Sequence, residues 1–155
     1  MVFLDISIVK AEKLDGLGLN QDLLKIDYIP ASNTAGFLTY ETALFLINNS
    51  KTKQVLRVKK EGLIRGPSGD GWFINLYKAT TMDFTENRIK VSYNVHRAYF
   101  EDPESISGDW KNSLQLDPNS ELRAVFMWNS QKESFQFMEG MSGFPRQVLE
   151  ELCQP

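Results

Sequence analysis

Few side chains in this sequence are equipped for chemistry. His96 is its one histidine and Cys153 its one cysteine. A nucleophile and base pair needs an imidazole within hydrogen-bond reach of the attacking group. His96 closes the stretch Arg88-Ile89-Lys90-Val91-Ser92-Tyr93-Asn94-Val95-His96, on the polar side of its alternation, where a solvated side chain is the expectation. Cys153 stands in a frayed end of the chain beside Glu150 and Glu151, whose charges disfavour a thiolate. These two residues do not make a usual structural zinc site. No catalytic residue, metal ligand or cofactor is assigned on these grounds, and the expectation is a protein that is not an enzyme.

Two loops invite a ligand and fit one poorly. Gly66-Pro67-Ser68-Gly69-Asp70-Gly71 is glycine-rich, but a phosphate loop must lead into a helix whose first amides face the anion. Here Trp72-Phe73-Ile74 follows, a strand sequence, so the segment reads as a hairpin connection. Glu101, Asp102, Glu104 and Asp109 gather carboxylates without the spacing of a twelve-residue calcium loop, and read as a solvated loop.

The most distinctive segment is basic. Lys51, Lys53, Arg57, Lys59, Lys60 and Arg65 stand within residues 51–65 against Glu61 alone. Arg57 and Lys59 share one face of a strand, and Lys51 and Lys53 extend that face if no bulge intervenes. Such a stripe would dock an acidic partner, although edge lysines also serve to discourage aggregation. Residues 101–121 form an opposite pole, with Glu101, Asp102, Glu104, Asp109, Asp117 and Glu121 against Lys111. A second copy of the chain is therefore one candidate partner, and pairing of unlike patches generates rings or filaments. Nucleic acid is not expected, because Tyr99, Phe100 and Trp110, the aromatics available for base stacking, lie in the acidic region.

Positioning these groups falls to strands. Ile89, Val91, Tyr93 and Val95 alternate with polar residues; Leu4, Ile6 and Ile8 do so near the start, and Leu24, Ile26 and Tyr28 alternate with Lys25 and Asp27. Residues 55–63 and 72–77 are rich in strand formers. Residues 121–128 and 133–138 flank a four-residue turn as a hairpin. Turn residues recur at Asp15-Gly16, Asp102-Pro103, Ser107-Gly108-Asp109 and Asp117-Pro118-Asn119-Ser120. Residues 40–47 fit a buried strand, 9–17 a short helix, and 145–152 a helix with proline in its first turn. Eight or nine strands with little room for crossover helices predict one all-β domain over 1–155. Its form is an antiparallel β-sandwich, or a closed barrel, with a short C-terminal helix.

With 155 residues, 42% hydrophobic and 24% charged, the chain has the composition of one folded domain. The net charge of -3 argues against whole-surface attraction to nucleic acid or anionic membrane. The single cysteine and the absence of a basic, then apolar, opening segment point to a cytoplasmic protein.

The motif order Ala11-Glu12-Lys13-Leu14-Asp15, Asp22-Leu23-Leu24-Lys25-Ile26, Lys51-Thr52-Lys53 through Lys59-Lys60, Gly71-Trp72-Phe73-Ile74 and Asn87-Arg88-Ile89-Lys90-Val91 resembles that of the C-two type calcium- and lipid-binding sandwich. It covers about the first 95 residues. The aspartate pair that the family carries after the strand at Ile89-Lys90-Val91 is replaced here, with Tyr93 and Val95 in its place. The resemblance thus implies a calcium-independent interaction module, one that could meet a membrane or lipid surface. Read from the residues, the expectation is a non-catalytic binding or assembly module docking an acidic protein partner through Lys51, Lys53, Arg57, Lys59 and Lys60. A peripheral membrane sandwich or a small barrel holding an apolar ligand among its aromatics stands as the alternative.

Overall fold

The computed structural model describes residues 7–15, 21–30, 40–49, 51–106, 108–138 and 146–154. It is an all-β, sandwich-like fold of two antiparallel five-stranded sheets. The first sheet is a meander of β1 (Ser7–Leu14), β2 (Asp22–Ile29), β3 (Glu41–Asn48) and β4 (Lys51–Lys59). The second continues as β5 (Glu61–Ser68), β6 (Gly71–Thr85), β7 (Arg88–Phe100), β8 (Gln115–Asn129) and β9 (Ser134–Phe137). Helix α1 (Arg146–Leu152) then leads into β10 (Cys153–Gln154), which returns to pair with β4 as the fifth strand of the first sheet. The two sheets remain separate among the described residues and do not close into a barrel.

Between β4 and β5 the chain changes sheet at a single residue. Lys60 donates its amide to the Tyr40 carbonyl at 2.8 Å and accepts at its own carbonyl from the Ala79 amide at 2.7 Å. Both backbone groups are thereby satisfied at a corner where no ladder could serve them. The Tyr93 hydroxyl makes a second tie, donating to the Lys59 carbonyl at 2.8 Å.

The core lies between the sheets. Leu23, Leu44, Leu46, Val55, Leu56 and Val58 from the first pack with Tyr77, Ile89, Val91, Tyr93, Val95, Ala124, Phe126 and Phe135 from the second. Leu149, Leu152 and Cys153 close one end. The alternation at 89–95 thus forms the buried face of β7, the hairpin of β8 and β9 turns at 130–133, and residues 41–48 are a strand.

Three expectations change. Residues 9–14 are strand rather than helix, because β1 pairs along its length with β2 and sets Glu12 beside Lys25; such cross-strand pairing outweighs local propensity. In β2 the period of two is present, but the core receives Leu23, and with it Lys25 and Asp27 share the inward face, while Leu24, Ile26 and Tyr28 face outward half-buried. Cys153 is not frayed: its strand pairing with Val58 leaves it buried. The expectations that fall on Leu4, Ile6, Gly16, Leu17, Ser107 and Pro145 lie outside the described residues.

Candidate functional site

The basic segment does not form one stripe. The register of β3 with β4 slips between Leu44 and Phe45, whose partners are Leu56 and Gln54. Val55 is the extra residue of a β-bulge, and both Val55 and Leu56 turn into the core. The bulge reverses parity: Lys51 and Lys53 share the inward face with Leu46 and Val58, whereas Arg57 and Lys59 point outward beside Ala43 and Glu41.

Most of these cations already have partners. Lys53 donates to the carbonyls of Lys132 and Glu133 at 2.8 and 3.1 Å, linking β4 to the β8–β9 turn. Arg57 reaches Gln154 and, at 3.9 Å, Glu41, whose carboxylate also accepts from the Tyr28 hydroxyl at 2.6 Å. Lys59 pairs with Glu151 at 2.7 Å, and Lys60 with Asp27 at 3.3 Å. Lys51 is exposed.

Asp27 belongs to a charged cluster on the inward face of the first sheet. Its carboxylate accepts from Thr42 at 2.5 Å and from Lys25 at 3.1 Å, and Lys25 also binds Glu12 at 3.1 Å. Burial opposes ionisation of Asp27, but Thr42, Lys25 and Lys60 outweigh it and hold the carboxyl below its ordinary range. Lys10 and Lys25 lower Glu12 likewise. The two acids of the C-two resemblance, Asp15 and Asp22, both bind Lys13, at 3.4 and 3.1 Å. Among the described residues no three His, Cys, Asp or Glu are grouped to hold a metal ion.

His96 and Cys153 are kept apart by the second sheet. Cys153 lies in the core, where burial pushes its thiol up to about 12, and its sulfur is 3.6 Å from the Tyr93 hydroxyl. His96 faces the other way, between Leu76 and Leu116 on neighbouring strands, with Nδ1 buried and unpaired among the described residues. The pair cannot act together as nucleophile and base.

A different surface emerges where β6, β7 and β8 run on past the core. The face that carries Tyr77, Tyr93 and Val95 continues as cross-strand rows of another composition. Phe73 stands opposite Tyr99, and the next row runs from Ile64 through Asn75 and Arg97 to Gln115 across four strands. Phe73, Tyr99, Asn75, Arg97 and Gln115, with Ser113 from the 3-10 turn Trp110–Ser113, border an open concavity of about 690 Å³. A second, of about 580 Å³, shares Phe73 and Asn75 and reaches Arg65, Tyr77 and Glu151. Together they make one cradle.

Its parts are held from behind. Arg97 pairs with Asp117 at 3.4 Å, and Asp117 is anchored in turn by the Asn119 amide at 3.1 Å. That acid sits at an irregularity of β8: the ladder skips from Leu122 opposite Tyr93 to Asp117 opposite Val95. The Asp-Pro-Asn-Ser segment, expected as a turn between strands, is thus an insertion within one. Gly71 makes room for Tyr99: a Cβ there would collide with the Tyr99 hydroxyl oxygen. Burial raises the Tyr77 phenol above its ordinary range, against a hydrogen bond from Asn75 and the charge of Arg97. The other atom of the Asn75 amide, Oδ1, is buried without a hydrogen-bond partner among the described residues.

Sequence reasoning assigns no site role to Phe73, Asn75, Arg97, Ser113 or Gln115. Only Tyr99 stands out there, as an aromatic in an acidic region. Compared with known protein families, curated proteins and solved structures, the chain returns no match.

Proposed function

We propose that the protein is a non-catalytic binding module and that its ligand-contact surface is the cradle of the second sheet. The observation that supports this most directly is the change of composition along one face. The same side of the second sheet that buries Tyr77, Tyr93 and Val95 carries, a few residues on, exposed Tyr99 with Phe73, Asn75, Arg97 and, from β8, Gln115. Concave surfaces that combine aromatic faces with a few convergent polar groups are the usual form of a binding site. The basic strand is the weaker surface. The bulge divides it between two faces, and Lys53, Arg57, Lys59 and Lys60 hold intramolecular partners. The lone buried cysteine is in keeping with a reducing, cytoplasmic setting.

Amide NMR of the isotope-labelled full chain tests the reading. The probes are a glutamate-rich peptide, inorganic phosphate, anionic phospholipid vesicles and soluble oligosaccharides of glucose, mannose, galactose and N-acetylglucosamine. Shifts centred on residues 73–75, 97–99 and 113–115 are expected with at least one probe. Shifts confined to Lys51, Lys53, Arg57, Lys59 and Lys60 would return the function to the basic strand and to an acidic or membrane partner.

A further inference from the structure

Resting on the cradle reading, the hydrogen-bonding inventory of the site selects among ligands, and we infer that it binds a neutral, hydroxyl-rich ring, a saccharide. The Asn75 Oδ1 atom is an acceptor, buried and unpaired among the described residues. A buried acceptor without a donor is costly, and this one is closed to solvent, so a ligand hydroxyl satisfies it only once the amide turns toward the cradle. Carboxylates and phosphates at neutral pH are poor in donors, whereas a hydroxyl both donates and accepts.

Charge points the same way. Arg97, the cation at the centre of the row, is paired with Asp117, so an anion approaching it would also meet a carboxylate. The adjoining concavity carries Arg65 together with Glu151, whose carboxylate Lys59 binds at 2.7 Å. The remaining polar groups, Asn75, Gln115 and Ser113, are neutral and offer both donors and acceptors. Phe73 and Tyr99, cross-strand neighbours, supply apolar faces against which the C–H side of a sugar ring packs. Tyr99 is 59% exposed, so that surface is open to solvent.

The test is calorimetric titration of the full chain with the same oligosaccharides, with inorganic phosphate and with the glutamate-rich peptide, at low and high salt. At least one oligosaccharide should bind with an affinity that salt leaves unchanged, since counterions screen charge and not neutral contacts. Tyr99→Ala and Asn75→Leu should each weaken it by about tenfold or more. Tyr99→Ala alters an exposed side chain, so an unchanged denaturation midpoint separates lost binding from lost folding. Salt-sensitive binding of phosphate or peptide in the cradle, with no oligosaccharide bound, overturns the saccharide assignment and leaves the cradle as the binding surface. Oligosaccharide binding that survives both substitutions overturns the assignment as well. Silence of the cradle amides toward every probe overturns both readings.

Discussion

At the scale of single residues, environment decides reactivity more than residue type does. Cys153 is chemically a nucleophile, but its thiol is buried against Val58 and Tyr93 and pushed up to about 12. Native protein should therefore leave an aromatic disulfide reagent unreacted at neutral pH, and one thiol per chain should appear once denaturant is added. Gly71 shows the converse, a residue whose value is the side chain it lacks. A methyl group there meets the Tyr99 ring and the Phe100 carbonyl oxygen, at 2.5 Å. Gly71→Ala should cost about 1–3 kcal/mol by denaturant titration, the range for overpacking, and should shift Tyr99 resonances. The sequence shows a glycine in a turn-like segment, which is correct for Gly69 at φ 61°. Why Gly71 cannot carry a side chain depends on the far end of β7, which no local pattern brings near it.

At the scale of elements, α1 and β10 act as one closing piece. Leu152 sits over Gly62 of β5, where a Cβ would collide with its Cδ2, and Cys153 follows directly into the pairing with Val58. Leu152→Ala should destabilise the fold by about 2–5 kcal/mol, as for other buried leucines. It should also speed labelling of Cys153 in native buffer, because the same docking covers both residues. The helix is legible from its proline and its Val148, Leu149 and Leu152 spacing; its return to the first sheet is not. The bulge at Val55 is equally hidden. One extra residue turns Lys51 and Lys53 to the opposite face from Arg57 and Lys59, while residues 51–59 read as an unbroken odd-numbered stripe.

At the scale of the whole molecule, stability should fall at both ends of the pH range. Asp27 and Glu12 have lowered folded pKa values, so their contribution is full above the ordinary carboxylate range and is lost as pH falls from that range through the lowered folded values. Asp27→Asn removes the charge that Lys25 and Lys60 pair with and replaces one of the two acceptor oxygens by an amide donor, and should cost about 1–3 kcal/mol near neutrality. The variant should also show a flatter acid limb in urea titrations at stepped pH. On the alkaline side, Cys153 ionises near 9 in the unfolded chain and about 12 in the folded one, and burial raises Tyr28 to about 12 as well. Unfolding then releases protons, and stability should decline as pH rises above 9. What the sequence alone determined is the all-β class and the two-residue period of strands such as β7, because the pleat is a local property of the backbone. Which side of β2 meets the core, where the parity of β4 reverses, and how Phe73, Asn75, Arg97, Tyr99 and Gln115 come to share one surface were decided only by tertiary structure. Burial of a face requires a second sheet to cover it, and a cross-strand row is assembled from residues far apart in the chain.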